Sequence, residues 1–339
     1  GGEGTVEALV SGMNGTIRKV SVTGPIGKTV VCEYGVIENT GGKTEEKTAV
    51  IEIAKAAGLT LLSEEERNPL YTTTYGVGEV IKDAVRNGCR KFIVGIGGSA
   101  TNDGGAGMLQ ALGFGLLKEN GEQIPIGARG LEELAEITDD NVIPELAECK
   151  FKIACDVTNV LCGETGASAV YGPQKGADEE MTERLDRLLF SYASLVKKKI
   201  PKADSMYPGT GAAGGLGFAF LTFMDAQLES GIQIVIKETG LEQEIAKADL
   251  VITGEGRMDG QTAMGKAPIG IAKIAKKYGK PVIAFAGAAA RDAGACNEQG
   301  IDAFFPILRE AVSLEAAMKR QNAEANMELS LIHISDPTR

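Results

Sequence analysis

A short apolar run leads directly into a glycine-rich loop in residues 92–105, FIVGIGGSATNDGG. The apolar residues 92–96 predict a buried strand, and Met108, Leu109 and Leu112 share one face of the helix that we expect to follow. Glycine at the end of a strand lets the backbone come close to a ligand. This stretch therefore indicates an α/β fold with a candidate ligand site in the loop.

The residues on both sides extend the α/β pattern. In residues 16–53 apolar side chains recur at every second position, which predicts antiparallel strands. Val77, Val80 and Val85 share the apolar face of a predicted helix that ends at Gly88. The last third alternates strands and helices, with strands predicted at 232–236, 250–253, 282–286 and 303–307 and helices at 241–248, 269–278 and from 313. Such alternation predicts a parallel, doubly wound sheet.

Composition excludes several classes of function. The 35 Lys and Arg residues against 46 Asp and Glu residues give a net charge of −11, which disfavours nucleic acid and anionic membrane surfaces as partners. Apolar stretches such as residues 282–290 fall far short of the ~20 residues that a membrane-spanning helix needs. The six cysteines contain no C-x-x-C pair, so we expect reduced thiols and a cytoplasmic location.

The single histidine, His333, lies in a C-terminal segment that abruptly changes in character. We interpret residues 329–339 as a non-native tail and expect its last ten residues, 330–339, to be extended or disordered. Histidine acid–base catalysis, Ser-His-Asp triads and histidine-ligated metals are therefore excluded. A base in this protein must be a carboxylate or a lysine.

Two glycine motifs offer alternative interpretations. Residues 95–100 fit G-x-G-x-x-G/A after a strand, with Glu119 about 20 residues further on, which makes an NAD-dependent dehydrogenase an alternative. Residues 260–267 almost match a P-loop, but Ala267 replaces the required Ser or Thr. Lys266 can still contact a phosphate as a point charge.

Charged residues follow several of the predicted strands. The carboxylates Asp103, Asp156, Glu255 and Asp259 lie in polar, glycine-flanked loops, where open α/β sheets bind ligands and where magnesium would find oxygen ligands. The cations Lys175, Arg257 and Lys266 lie close to such loops in the sequence. An anionic substrate needs local positive charge of this kind in an acidic protein.

Taken together, these loops resemble the motifs of the bacterial-type glycerate kinases. The resemblance runs in the same order along the chain through residues 97–107, 154–159, 172–177, 208–217 and 251–259, and residues 1–9 are similar to the segment after the family's first strand. It implies an ATP-dependent kinase that phosphorylates D-glycerate, usually to 2-phosphoglycerate. A non-catalytic glycerate or nucleotide binder is a further alternative, and the sequence leaves open whether the chain forms a homo-oligomer.

The resemblance also implies a domain organisation. A Rossmann-like or flavodoxin-like doubly wound α/β domain would be interrupted by a second α/β domain with a mixed sheet. We expect the first domain at residues 1–15 and 245–328 and the second at 16–244. The family's opening strand is missing, so we expect the chain to be truncated at its N-terminus.

Roles for individual residues follow from the resemblance as expectations. The loop residues expected to bind ATP phosphates are Gly97, Gly98, Ser99, Thr101, Asn102, Gly104 and Gly105, together with Lys266. Asp103 or Asp259 would hold Mg²⁺ as a cofactor. Asp156 would orient or deprotonate the glycerate hydroxyl, and Arg257 or Lys175 would neutralise the substrate carboxylate or the transferred phosphoryl group.

Overall fold

A computed structural model describes residues 4–38, 46–224, 226–308, 310 and 312–335, with only the backbone described at 314 and 332–335. The chain forms two compact units, Gly1–Ile234 and Val235–Arg339. Each unit is an α/β structure, so the predicted fold class is confirmed. The boundary falls after Ile234, ten residues before the predicted boundary at 244/245.

A six-stranded mixed sheet lies at the centre of the first unit, in the order β1-β2-β3-β4-β7-β8. β1 to β3 pair antiparallel, and β3, β4, β7 and β8 pair parallel. β5 and β6 form a separate antiparallel pair. The strands are β1 (Thr16–Thr23), β2 (Thr29–Glu38), β3 (Lys47–Glu52), β4 (Cys89–Gly95), β5 (Gly115–Leu117), β6 (Glu136–Thr138), β7 (Lys150–Ala154) and β8 (Gln227–Glu229).

Helices and short 3₁₀ turns cover this sheet. The stacked rings of Phe92 and Phe151, with centroids 4.6 Å apart, join the neighbouring strands β4 and β7 within the core. The helices are α1 (Thr5–Gly12), α2 (Ala54–Ala57), α3 (Tyr75–Arg86), α4 (Ala106–Leu112), α5 (Ala167–Tyr171), α6 (Glu179–Lys199) and α7 (Ala212–Phe223). The 3₁₀ turns are Leu59–Leu61, Glu64–Glu66, Ala128–Glu133, Pro144–Glu148 and Pro173–Lys175.

The helix α6 illustrates how local sequence sets these elements. Asp178 caps its first turn by accepting a hydrogen bond from the Met181 N–H at 2.8 Å, as predicted. Leu185, Leu189 and Tyr192 are buried on one face, while the basic residues of the last turn favour the negative end of the helix dipole.

A three-stranded parallel sheet forms the second unit, in the order β11-β10-β9. It confirms the alternation predicted for this part of the chain. The elements from the boundary onward are α8 (Gly231–Thr239), α9 (Leu241–Lys247), β9 (Val251–Met258), α10 (Gly260–Ala263), α11 (Ala267–Lys277), β10 (Val282–Ala289), α12 (Ala295–Glu298), β11 (Ala303–Pro306), α13 (Leu314–Ala317) and α14 (Arg320–Ser335).

The structure corrects three details of the prediction. Residues 232–236, expected as a strand, lie in α8, because a short apolar run fits a helix as well as a strand, and β8 supplies the edge strand just before it. Residues 330–335, expected to be extended or disordered, continue α14 as a helix, and residues 336–339 lie outside the described part.

The third correction concerns the start of the chain. We expect residues 1–15 in one domain with 245–328, but α1 lies in the first unit. Its Val6 and Leu9 are buried, and the Val6 N–H donates to Glu52 Oε1 at the end of β3, at 3.1 Å. None of the described helices is both long enough and apolar enough to cross a membrane.

Candidate functional site

The strands β4 and β7 lie side by side in the first unit and end at the same edge of the sheet. The loops that follow them, with residues near α5 and α7, enclose an open pocket of about 170 Å³. We call it the loop pocket, and it is lined by residues 96–99, 154–157 and 212–213 with Tyr171, Gln174 and Lys175. The carboxyl edge of parallel strands is where open α/β sheets bind ligands.

The carbonyl groups of the glycine-rich loop are bonded to the rest of the unit. Gly98 O accepts from the Leu59 N–H at 2.9 Å, and Ala100 O accepts from Thr72 Oγ1 at 2.9 Å. Thr101 O accepts from Lys175 Nζ at 2.6 Å. Because these three carbonyl oxygens already accept hydrogen bonds, they repel an anion in the pocket less than free carbonyl oxygens would.

Glycines in residues 208–217 let a second loop pack directly on the first. The Gly104 N–H donates to Gly214 O at 2.9 Å. Gly214 has a φ of +66°, and a Cβ placed on it would collide with the carbonyl oxygen of Thr101. The glycine-rich motif at 208–217 therefore supports the loop that lines the pocket.

We expect Gly214→Ala to destabilise the protein by ~1–3 kcal/mol, because the new methyl group has no room and the backbone conformation is left-handed. Urea unfolding measures the change. Gly121→Ala is the matched control, since Gly121 has a φ of +81° and no atom within 4 Å of the added Cβ. An equal loss in both variants would show that the contact with Thr101 does not matter.

Lys175 is a buried cation in the wall of the pocket. Its side chain is 2 % exposed, and its Nζ donates to Ser99 Oγ at 3.0 Å as well as to Thr101 O. Burial lowers the pKa of Lys175 to about 7, although the charge of Asp103 acts in the opposite direction. The ammonium group therefore holds the loop and brings positive charge to the pocket.

Asp103 has a different position from the one expected of a magnesium ligand. It is fully buried and accepts from the N–H groups of Thr74 at 2.8 Å, Gly105 at 3.1 Å and Gly107 at 3.3 Å, and from the Thr74 hydroxyl at 2.9 Å. Burial raises its pKa although these hydrogen bonds oppose the shift. Both oxygens are engaged within the protein, so Asp103 joins the starts of α3 and α4 and has no face open to a metal ion.

Asp156 follows β7 and is exposed at the pocket wall. Its Oδ1 accepts from Ser230 Oγ and from the Gly231 N–H, both at 3.0 Å. These bonds orient the carboxylate at the start of α8. Ser230 was missed in the sequence because the strand before it was predicted at 232–236 and not at Gln227–Glu229.

The remaining loop residues differ in whether they line the pocket. Gly97, Gly98 and Ser99 line the pocket, whereas Thr101 and Asn102 are fully buried behind it. Asn102 Nδ2 donates to Ser168 Oγ at 2.9 Å, while Thr101 Oγ1 and Asn102 Oδ1 have no hydrogen-bond partner. Gly104 and Gly105 have positive φ angles and pack closely against α6 and α7.

The second unit brings together the other predicted residues in the last part of β9 and just after it. Arg257 Nε and Lys266 Nζ each lie 3.9 Å from a carboxylate oxygen of Asp259. Burial acts to raise the pKa of Asp259, but the Thr262 N–H and the charge of Lys266 hold it below its usual value. The Thr262 hydroxyl also donates to Glu255, so two carboxylates and two cations share this end of the strand.

The two alternative glycine motifs do not have the geometry that they require. In residues 95–100 no helix begins at the loop, since α4 starts only at Ala106, and Glu119 lies in a turn after β5. Residues 260–267 contain the short helix α10 in place of a phosphate loop between a strand and a helix. Neither motif supports the ligand that it suggested.

Comparisons with known proteins agree with one another. A family model described as "Glycerate kinase family" matches residues 1–335. The glycerate kinase of Halalkalibacterium halodurans is 48% identical over 320 residues, which cover 94% of this chain and 83% of the relative. The glycerate 2-kinase of Escherichia coli is 47% identical, with 94% and 82% covered. A crystal structure assigned as glycerate kinase 2 of Salmonella typhimurium LT2 matches with a TM-score of 0.85 and 46% identity, over 98% of this chain and 85% of that one.

Proposed function

Because the chain belongs to the glycerate kinase family, and so is a kinase enzyme, we propose that it transfers a phosphoryl group from ATP to the 2-hydroxyl of D-glycerate. The product would be 2-phosphoglycerate. The name of the Escherichia coli relative, glycerate 2-kinase, supports this position of transfer. The six cysteines are free, which fits a cytoplasmic enzyme.

The observation that carries this proposal is the size and lining of the loop pocket. Its volume of about 170 Å³ is close to that of cavities of ~150 Å³ that hold one benzene ring. A three-carbon acid fits such a space, whereas pockets for larger ligands measure ~300–1,000 Å³. Asp156 and Lys175 line this one small pocket together. We therefore assign D-glycerate to the loop pocket.

Asp156 is the proposed general base. As the 2-hydroxyl oxygen attacks the terminal phosphorus of ATP, its proton passes to the Asp156 carboxylate, the new O–P bond forms and the bond to ADP breaks. The bonds from Ser230 and Gly231 fix the carboxylate in advance, so it needs no reorientation during the step. Lys175 offsets the charge of the substrate carboxylate from the pocket wall.

In the first unit, phosphate binding is proposed at Gly97, Gly98 and Ser99, the loop residues that line the pocket. For the second unit, a separate proposal is that the cations Arg257 and Lys266 bind phosphate. Among the described residues no group of three or more histidine, cysteine, aspartate or glutamate side chains is placed to hold a metal ion. Magnesium commonly binds through one or two carboxylates plus substrate phosphates, and the partly exposed oxygens of Asp259 beside Glu255 fit that demand. Mg²⁺ held there would offset the charge of the nucleotide phosphates.

The test is turnover by the purified chain. With ATP, Mg²⁺ and D-glycerate we expect ADP formation that depends on glycerate, and ³¹P NMR of the product should show 2-phosphoglycerate. A reaction with NAD⁺ replacing ATP is the negative control. Formation of 3-phosphoglycerate would contradict the proposed position of transfer, and no glycerate-dependent ADP would contradict the proposed substrate.

A further inference from the structure

Ala213 has a backbone conformation that alanine rarely adopts. Its φ is +53°, and Gly214 and Gly215 follow with φ of +66° and +92° within the first turns of α7. In the described part of the chain, only Asn14 is another non-glycine residue with positive φ, and asparagine tolerates this region. Glycine would be free of this steric strain at position 213, so the methyl group is present at some cost to the fold.

The packing of the backbone explains why residue 213 has a left-handed conformation. It does not explain why this residue carries a methyl group. Gly214 and Gly215 pack against the backbone of Thr101 and Gly104, and a Cβ at either position would clash there. Ala213 is part of the same turn but is half-buried and lines the loop pocket. Strain retained in a residue that faces a ligand site points to a role in that site.

We infer that Ala213 is a specificity-determining residue, whose methyl group limits the phosphoryl acceptor to a three-carbon acid. This inference rests on the proposal that D-glycerate binds in the loop pocket. The polar side chains in the lining of that pocket include those of Ser99, Asp156, Gln174 and Lys175. Ala213 and its neighbour Ala212 are apolar residues of the same lining. A methyl group at position 213 leaves less room there for an additional carbon of the acceptor.

The variant Ala213→Gly separates this role from a role in folding. Removal of the methyl group relieves the steric strain at φ +53°, so we expect an unchanged or higher Tm. It also enlarges the pocket. We therefore expect the ratio of kcat/KM for D-erythronate, which is one carbon longer, to kcat/KM for D-glycerate to rise by at least ~10-fold, as is typical for one methylene group in an enzyme pocket.

Asn14→Gly is the matched control. Asn14 has a similar φ of +52°, is exposed, and lies in the turn between α1 and β1, so it tests the backbone effect alone. We expect this variant to keep the substrate ratio of the wild type. A shift of the ratio in Ala213→Gly alone would support the inference.

Two results would overturn the inference, and they distinguish its failure alone from a failure of the proposed function. If the wild type phosphorylates D-glycerate and Ala213→Gly keeps the wild-type ratio within about twofold, Ala213 does not determine specificity although the proposed function stands. If the wild type shows no turnover of D-glycerate, the proposed function fails and the inference fails with it. A lower Tm of Ala213→Gly with an unchanged ratio would assign the methyl group to packing.

Discussion

Asp156→Asn is expected to lower kcat for glycerate phosphorylation by ~10²–10⁴-fold, the usual contribution of a positioned general base. Asparagine has the same shape, and its amide oxygen can still accept from Ser230 Oγ and the Gly231 N–H. The geometry at the start of α8 is thus retained, while the ability to accept a proton is lost. The Kd for ATP should stay near the wild-type value, since Asp156 is assigned to the acceptor.

Steady-state kinetics and ATP titration measure the two effects separately. Asp186→Asn is a suitable control because Asp186 is also a carboxylate that accepts from a backbone N–H, that of Gly163 at 2.9 Å, and it lies half-buried outside the pocket. We expect this control to have wild-type kinetics. A kcat of Asp156→Asn within about threefold of the wild type would remove Asp156 from the mechanism.

Lys175→Met is expected to reduce kcat/KM for D-glycerate by ~10²-fold or more, because it removes a buried, hydrogen-bonded cation from the pocket wall. Because the pKa of Lys175 is about 7, we expect its contribution to glycerate binding to depend on pH. Below pH 7 the wild-type side chain is an ammonium group, and above pH 7 it becomes a neutral amine. KM for D-glycerate should therefore rise with pH through about 7 in the wild type and vary less in Lys175→Met.

The groups around Lys175 Nζ that bear on this pH profile are Asp103, whose charge favours the ammonium form, and the neutral acceptors Ser99 Oγ and Thr101 O. Asp156 lines the same pocket. Lys198→Met is the control for loss of a lysine, since Lys198 lies exposed in the last turn of α6. If Lys175→Met kept the wild-type KM and its pH profile, the charge of Lys175 would have no part in substrate binding.

The same pKa predicts how stability changes with pH. The pKa of Lys175 is lower in the folded protein, at about 7, than the ordinary lysine value of 10.5, which applies to the unfolded chain. Between these values the unfolded chain binds more protons than the folded one, so this group's contribution to stability increases as pH rises and is lost as pH falls towards 7. Urea unfolding at several pH values between 7 and 10 should show a rise in the wild type that is absent in Lys175→Met.

Sequence patterns predicted the elements that depend on local signals. The strand before residues 97–105, the helix that Asp178 caps, and the parallel strands of the second unit are all present in the structure. The family and the kinase activity were predicted correctly from the order of the loop motifs, and the comparisons confirm both. The strands and the helix cap depend on a few neighbouring residues, whereas the family is indicated by the order of several motifs along the chain.

Features that depend on tertiary packing could not be predicted from local sequence. Asp103 follows a strand in the sequence as a metal ligand would, but besides its neighbours Gly105 and Gly107 it binds Thr74, which is distant in sequence. The strain at Ala213 depends on the packing of two loops against each other. The helix at 232–236 and the place of α1 were likewise decided by neighbours that the sequence does not identify.

A crystal structure of the protein with D-glycerate bound would locate the acceptor site. We expect glycerate in the loop pocket, with its 2-hydroxyl within hydrogen-bonding distance of the Asp156 carboxylate and its own carboxylate on the side of Ser99 and Lys175. Glycerate bound at another place, or in the loop pocket with its 2-hydroxyl turned away from Asp156, would contradict it.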